Sequence, residues 1–202
     1  MSSGETRISG SIEEVASELR LGRLRRVEAR EIWPATGDLT PWLRSNPELV
    51  GEALRLEIRA GDTEELAESI GELTAGVPVV VRARFDEPSE NDLRDLAALV
   101  ADVDAGVLVL LAPAIADDAR QRLSKLNHNT TRAIVFYGVE FDLWQIDDSA
   151  PAPLFRVVAG PEGWDKTPTH GASTRGRSGE LAEALSEGAA SAGGSTAAGE
   201  PG

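Results

Sequence analysis

Pro78-Val79-Val80-Val81-Arg82-Ala83-Arg84-Phe85-Asp86 is the stretch that decides the fold. A run of β-branched residues predicts a strand, and Gly76 supplies a turn before it. Because successive side chains of a strand point to opposite faces, we expect Arg82 and Arg84 on the same face. This pair is the most informative feature of the chain, since neighbouring guanidiniums suit the recognition of phosphate or carboxylate groups.

Helices and strands alternate downstream of this strand. Ser89 is typical of a helix N-cap, and residues 107–111 are a continuous apolar run, as expected for a strand covered on both faces. A second helix is predicted in residues 114–126. Strands are predicted in residues 131–146, as one or two pieces interrupted at Gly138, and in residues 154–158. This order predicts an α/β fold, with a mixed central sheet flanked by helices.

Upstream of the central strand, the sequence shows two helix starts and one ambiguous segment. Thr40-Pro41 and Asn46-Pro47 each place proline directly after a capping residue, where the missing N–H needs no partner. Two short helices are therefore expected up to Leu54. Residues 56–59 alternate as a strand does. Residues 64–73 stay open between helix, which their Glu and Leu content favours, and strand.

The two ends of the chain differ from its middle. Ser11 and Glu14 have the spacing of a capping box, and apolar residues recur after Ser11 at helical intervals: Ile12, Val15, Ala16 and Leu19. Residues 1–29 are predicted to hold this helix and a segment leading into the sheet, and residues 30–166 the α/β domain. Residues 167–202 are rich in Gly, Ala and Ser and predict a disordered tail, with a helical turn or two up to Leu185.

The composition of the chain limits the class of protein to which it can belong. The 202 residues suffice for one substantial core, carry a formal net charge of −14 and include no cysteine. The lack of cysteine excludes disulfides and thiolate catalysis and fits a reducing compartment. The sequence shows no secretory leader and no apolar run of about 20 residues, so we expect a cytoplasmic protein without a membrane partner. Its charge disfavours nucleic acid, so an unknown protein partner is favoured and nucleic acid is the alternative.

Two stretches that contain tryptophan carry a family resemblance. Residues 30–34 read Arg-Glu-Ile-Trp-Pro and are followed by Thr40-Pro41-Trp42-Leu43, and residues 138–144 read Gly-Val-Glu-Phe-Asp-Leu-Trp. Residues 30–164 resemble the restriction-endonuclease-like domain of the DUF4268-associated type, within the PD-(D/E)XK nuclease superfamily. The resemblance implies a strand in residues 64–73. It also implies a Glu-x-Gln pair on the Val-rich strand, whose Glu helps to bind a divalent metal.

The same resemblance places substituted residues at the catalytic positions. Ala67 falls at or near the first acid, Arg82 at the metal-binding Glu and Arg84 at the Gln. Two guanidiniums disfavour a divalent cation beside them, so we predict no metal, no cofactor and no catalytic residue. Arg82 and Arg84 either bind an anion or pair internally with a carboxylate. The sequence offers three candidates for that carboxylate: Glu65, Glu68 and Glu72.

A basic cluster precedes the predicted domain. Its arginines are candidate contacts for an anion or an acidic partner. Glu28 and Glu31 dilute the positive charge, which favours a solvated edge instead. The members of the cluster are Arg20, Arg23, Arg25, Arg26 and Arg30.

Three functions are compatible with these residues. The first is a catalytically inactive nuclease-like domain that acts as a binding or scaffold subunit, in the nucleic-acid-related or defence setting that the resemblance implies. The second is a divergent metal-dependent nuclease whose acids have moved to Glu65, Glu68, Glu72 or Asp86. The third is an acidic protein-interaction module unrelated to nucleic acid. The sequence favours the first, because arginines replace the expected acid and amide.

Overall fold

The computed structural model describes residues 21–61, 68–99, 105–130, 133–164 and 181–187. The predicted helix in residues 11–19 and the position of Ala67 lie outside these ranges. The strands are β1 (Leu24–Val27), β2 (Ser69–Glu72), β3 (Pro78–Ala83), β4 (Ala105–Ala112), β5 (Ala133–Ile146) and β6 (Ala152–Ala159). The helices are α1 (Ala29–Ile32), α2 (Thr36–Ser45), α3 (Pro47–Leu54), α4 (Glu90–Ala98) and α5 (Asp117–Asn129).

All of these strands form one mixed sheet. The order along it is β1, β5, β4, β3, β2, and β6 also pairs with β5. β3, β4 and β5 run parallel, whereas β1, β2 and β6 are antiparallel to their neighbours. The connections β3–α4–β4 and β4–α5–β5 are the crossovers that parallel neighbours require. The predicted mixed α/β architecture is therefore confirmed.

Helices cover both faces of the parallel part of the sheet. Alternate residues of β3, β4 and β5 contribute to a core with α4 and α5, which includes Leu96, Leu108, Leu110, Leu123 and Phe136. The intervening residues contribute to a second core with α2 and α3, which includes Leu39, Leu43, Val50, Val79 and Val109. We call these two sides of the sheet the α4/α5 face and the α2/α3 face.

The region before β3 differs in part from its prediction. α2 begins at Thr36, because the carboxylate of Asp38 accepts the N–H of Ala35 at 2.9 Å, and Pro41 therefore lies inside the helix instead of at its start.

Residues 56–58 are not in a strand, and Arg59 makes only an isolated bridge with Glu72. Leu56 and Ile58 are buried in the core without sheet pairing. Their burial gives this segment the same alternation of apolar and polar residues that a strand has. Within residues 64–73, the described part contains the strand β2.

Gly138 does not interrupt β5. The strand is continuous through it, with a register shift against β6 between Gly138 and Val139. A Cβ atom at this position would lie 2.9 Å from Cδ1 of Leu123 and 3.3 Å from Cδ1 of Ile115. Glycine is therefore needed for the close approach of α5 to the sheet rather than for a turn.

β4 and β1 lie end to end along one edge of β5. β4 pairs with β5 as far as Glu140, and β1 pairs with residues 143–146 of β5. β6 pairs with residues 138–144 and overlaps both, so it occupies the opposite edge. Because β4 is parallel and β1 antiparallel to β5, the carboxyl ends of β4 and β1 face each other across Phe141 and Asp142. β1 thus extends the sheet of the α/β domain back to Leu24.

Residues 181–187 form a helix, which corrects the prediction of a disordered tail for this segment. Ala182 and Leu185 are 1% and 5% exposed and join the core of the α2/α3 face. Leu181 packs against the same core. The average composition of the tail does not reveal these apolar residues, although their spacing places them on one side of a short helix. The remaining tail residues, 167–180 and 188–202, lie outside the described ranges.

Candidate functional site

β3 places Arg82 on the α4/α5 face, next to the start of β2. Its Nη1 donates to Oε1 of Glu68 at 2.6 Å, and the side chains of Arg82 and Glu68 are 21% and 32% exposed. The carbonyl of Glu68 accepts the N–H of Val81 at 2.9 Å, so sheet pairing fixes its position. Oε2 of Glu68 and Nε of Arg82 are buried without a hydrogen-bond partner among the described residues. The contact is therefore a single charged hydrogen bond rather than a bidentate pair.

Arg84 follows β3 and contacts the first turn of α4. Its Nε donates to Oδ1 of Asp92, and its Nη1 donates to the carbonyl of Ala83 at 2.9 Å. Asp92 also accepts the N–H and the hydroxyl of Ser89, which is the N-cap residue of α4. Burial raises the pKa of Asp92, but the hydrogen bonds from Ser89 and the guanidinium of Arg84 outweigh burial and hold the pKa below its usual range. One carboxylate thus caps the helix and neutralises Arg84.

Glu140 of β5 is a buried carboxylate, 5% exposed. Its Oε1 accepts the N–H of Ile115 at 3.0 Å and Nη2 of Arg120 at 2.9 Å, and its Oε2 accepts Nη2 of Arg156 at 2.5 Å. Burial raises the pKa of Glu140, but these three donors together hold it below its ordinary value. The carboxylate joins the start of α5 to β5 and β6.

Asp92 and Glu140 are absent from the residues that the sequence singles out. Val139-Glu140-Phe141-Asp142 alternates between apolar and acidic residues, which predicts an acidic face in solvent. Glu140 is buried because α5 and β6 both contact it. These neighbours are distant in the sequence, so the local pattern of residues does not predict them. Asp92 had a usable signal, since an acid three residues after Ser89 is typical of a helix cap.

Charged groups at the carboxyl ends of the parallel strands are already paired. In open α/β sheets, ligands commonly bind beyond these ends. Here Arg84 lies beyond β3 and Glu140 lies opposite Ala112 at the end of β4. Each has its own partner of opposite charge. This edge of the sheet is therefore built as a neutralised ion network.

A cavity of about 110 Å³ lies where the carboxyl ends of β4 and β1 face each other. Two ion pairs border it, Arg26–Asp142 and Arg30–Asp86, each at 2.6 Å. Arg30 also lies over the ring of Phe85, 5.7 Å from its centroid. Cavities for small organic ligands span roughly 300–1,000 Å³, so this one suits only water or a small ion.

Only some of the described arginines of the predicted basic cluster lack an ion-pair partner. Arg26 and Arg30 are engaged in the ion pairs beside the cavity. Arg23 and Arg25 are exposed, and their guanidiniums have no acidic partner in the described part of the chain. The backbone N–H of Arg23 donates to Oδ1 of Asp147 at 2.9 Å. Arg20 lies outside the described residues.

A second concavity, of about 290 Å³, lies between α4 and α5. Its floor is apolar and its rim is mainly basic, with Arg122 3.0 Å from Glu90 and Arg94 3.7 Å from the same carboxylate. Three cations against one acid are notable in a chain of net charge −14. We call this concavity the α4–α5 groove, and the residues that define it are Glu90, Leu93, Arg94, Ala97, Arg122, Lys125, Leu126 and Asn129.

Two of the acids named for a divergent nuclease, Glu68 and Asp86, are each paired with a different arginine. Glu68 pairs with Arg82, and Asp86 is exposed and pairs with Arg30. Glu65 lies outside the described residues. In the ranges that the structure describes, no group of three or more His, Asp or Glu side chains is arranged to hold a metal ion.

Comparison of the chain with profiles of protein families, with curated proteins and with solved structures yields no match. Among the described helices, none combines the length and apolar character needed to cross a membrane. Function is therefore inferred from the chemistry of the residues themselves.

Proposed function

We propose that this protein is a catalytically inactive nuclease-like domain that works by binding a partner. One observation carries the proposal. Arg82 stands where the resemblance implies a metal-binding Glu, and its guanidinium is 2.6 Å from the carboxylate of Glu68.

The chemistry of this contact opposes metal-dependent hydrolysis. Such a reaction needs carboxylate oxygens free to hold a divalent ion that orients water and neutralises charge. Arg82 occupies an oxygen of Glu68, and Arg84 occupies an oxygen of Asp92. A divalent cation would have to displace a guanidinium and then remain beside it, which is unfavourable in a partly buried site.

The α4–α5 groove supports a binding role. An apolar floor with a basic rim fits an acidic, partly apolar segment of another protein. Duplex DNA is the weaker candidate, because the remaining surface of a chain with net charge −14 repels a polyanion. We therefore propose a protein partner in a nucleic-acid-related or defence setting, the setting implied by the resemblance.

The test is titration of the full chain with Mn²⁺, alongside cleavage assays on single- and double-stranded DNA and RNA. We expect no binding and no cleavage by the wild type. Arg82→Glu should acquire a Mn²⁺ site, because the substitution removes the cation and adds a second carboxylate beside Glu68. Arg25→Glu is the matched control, since it changes the charge equally at an exposed arginine without an acidic partner in the described part of the chain.

Metal-dependent cleavage by the wild type that disappears in Glu68→Ala would support the divergent nuclease instead. A folded Arg82→Glu variant that binds Mn²⁺ no better than Arg25→Glu would contradict the interpretation of Arg82 as a replaced metal ligand.

A further inference from the structure

One end of the sheet carries exposed apolar side chains. Leu24 of β1, Ile146 of β5 and Leu154 of β6 are 59%, 53% and 58% exposed, although all three belong to paired strands. Apolar side chains that are exposed together on a protein surface mark a contact site. Because these fractions hold for the complete chain of 202 residues, the molecule that covers this surface is a separate one.

Strand pairing places these side chains on the α4/α5 face. Side chains alternate along a strand, so Asp142 and Ile146 of β5 point to the same side as Glu140, whose carboxylate contacts α5. Leu24 lies opposite Ile146, and Leu154 lies opposite Asp142. We call this part of the sheet the β1–β5–β6 face. Its members are Leu24, Arg26, Asp142, Trp144, Ile146, Ala152 and Leu154.

The β1–β5–β6 face is neutral in a strongly acidic chain. Its charged members, Arg26 and Asp142, pair with each other at 2.6 Å. The next row of the sheet is also an ion pair, Arg156–Glu140 at 2.5 Å. A net charge of −14 makes two copies of this chain repel each other. This face is a surface through which two copies can approach without adding to that repulsion.

The layout of the face about Trp144 is self-complementary. Leu24 lies one strand to one side of Trp144 and two residues toward the end of β5. Leu154 lies one strand to the other side and two residues in the opposite direction. A twofold axis in the plane of the face, through Trp144 and perpendicular to the diagonal between the two leucines, therefore exchanges these corners. The same axis brings Arg26 of each copy near Asp142 of the other. A symmetric dimer needs such a surface, which complements itself.

The size of the face suits a weak dimer. Three strands about 4.8 Å apart and five residues long, at about 3.4 Å per residue, cover roughly 14 by 17 Å. Two such faces bury an area at the low end of specific interfaces, below about 1,200 Å² in total, which is typical of transient association. The inclined axis makes the strands of the two copies cross at a steep angle, as in orthogonal packings of two sheets.

We propose that the β1–β5–β6 face binds a second copy of this chain, in a symmetric dimer whose twofold axis passes through Trp144. Leu24 of each copy packs against Leu154 of the other, and the two Trp144 side chains meet at the axis. Arg26 of each copy faces Asp142 of the other at the border of the apolar contact. The second copy covers the part of the α4/α5 face where Leu24 and Leu154 are exposed.

Sedimentation velocity of the full chain tests the association. The protein is studied from about 1 µM to 1 mM, in about 0.3 M NaCl to screen its net charge. We expect a monomer–dimer equilibrium whose dissociation constant rises at least about tenfold in Leu154→Asp, because the substitution puts a carboxylate into the apolar contact. Ile32→Asp is the matched control, since Ile32 is also an exposed apolar residue, 42% exposed, but lies outside the face. It should change the dissociation constant by no more than about twofold. A wild type that stays monomeric throughout, or equal effects of the two substitutions, would overturn the proposal.

Cross-linking tests the symmetry of the dimer without background, because the chain contains no cysteine. In the proposed dimer Leu24 faces Leu154 of the second copy, whereas the two copies of Leu24 are about 17 Å apart, too far for a short bifunctional thiol reagent. The reagent is added to a mixture of Leu24→Cys and isotope-labelled Leu154→Cys, and the products are weighed by mass spectrometry. We expect the mixed dimer to form at least about fivefold faster than either homodimer, and Ile32→Cys in place of Leu24→Cys to remove this preference. A statistical mixture of the three dimers, or no dimer, would contradict the proposed axis.

Discussion

Arginine–carboxylate contacts near the carboxyl ends of β3 and β4 differ in how much each partner depends on the other. Glu140 has three donors, so loss of Arg120 still leaves it Arg156 and the N–H of Ile115. Glu68 has a single contact with Arg82 in the described residues, and each side chain keeps one buried polar atom without a partner. Removing one member of a partly buried pair costs more than the pair contributes, because the other charge stays desolvated.

Arg82→Ala should therefore destabilise the fold, by about 1–3 kcal/mol, since it leaves the half-buried carboxylate of Glu68 without its donor. Urea denaturation measures the change, and Arg94→Ala, in an exposed pair, should cost less than about 1 kcal/mol. If Arg82 instead binds an anion, Arg82→Ala would be neutral or stabilising, and phosphate would raise the Tm of the wild type.

Glu140→Gln should produce a stability difference that depends on pH. The folded-state pKa of Glu140 is lowered from 4.5, so its contribution is present above that value and is lost as pH falls through the folded pKa. We expect the wild type to exceed Glu140→Gln by about 1–3 kcal/mol in stability at pH 7, and the two proteins to converge once the pH falls below the folded-state pKa of Glu140. Urea denaturation across this range measures it, with Asp148→Asn as an exposed control. A difference that stays constant with pH would contradict the assignment.

The sequence anticipates part of this residue chemistry. It predicts that Arg82 and Arg84 share a face, and it includes Glu68 among the possible partners. It does not anticipate the pairing of Asp92 with Arg84 or the burial of Glu140, because these partners come from elements brought together by the fold. Arg84 and Asp92 belong to different elements, and Glu140 is 20 residues from Arg120.

At the scale of elements, strong local signals agree with the structure and weak ones do not. β3 and β4 are unmistakable β-branched or apolar runs, and Ser89 caps α4 as its sequence predicts. α2 begins before the predicted position, because Asp38 caps its first turn, whereas Pro41 does not mark the start of the helix. The helix of residues 181–187 has too few apolar residues to stand out from a Gly- and Ala-rich tail.

Leu185→Ala should show that this last helix belongs to the domain. Leu185 is 5% exposed within the core of the α2/α3 face, so its truncation should cost about 2–4 kcal/mol by lost burial and a residual cavity. Thermal denaturation of the full chain is the measurement. Leu181→Ala is the matched control and should cost less, because Leu181 is only partly buried. Equal stability of Leu185→Ala and the wild type would show that the helix does not dock.

At the scale of the whole molecule, positive charge is concentrated in contacts while negative charge dominates the sum. The arginines of the described region lie largely in ion pairs, whereas the chain has a net charge of −14. Excess acid favours solubility and destabilises the compact state by self-repulsion. Salt screens the ion pairs at 2.5–3.0 Å only weakly, because screening is strong only beyond a Debye length of about 10 Å at 0.1 M. The repulsion between acids that lie farther apart on the surface is screened more.

Salt should therefore stabilise this protein. Raising NaCl from 0.05 to 0.5 M should increase stability by about 1 kcal/mol, or roughly 2–4 °C in Tm for a chain of this size. The variant Glu52→Gln/Glu87→Gln/Asp148→Asn removes three exposed acids, so it should be more stable than the wild type at low salt and gain less from added salt. Thermal denaturation of both proteins across the salt series measures the effect. A Tm that falls with salt would mean that surface ion pairs, rather than net repulsion, dominate the electrostatic free energy of folding.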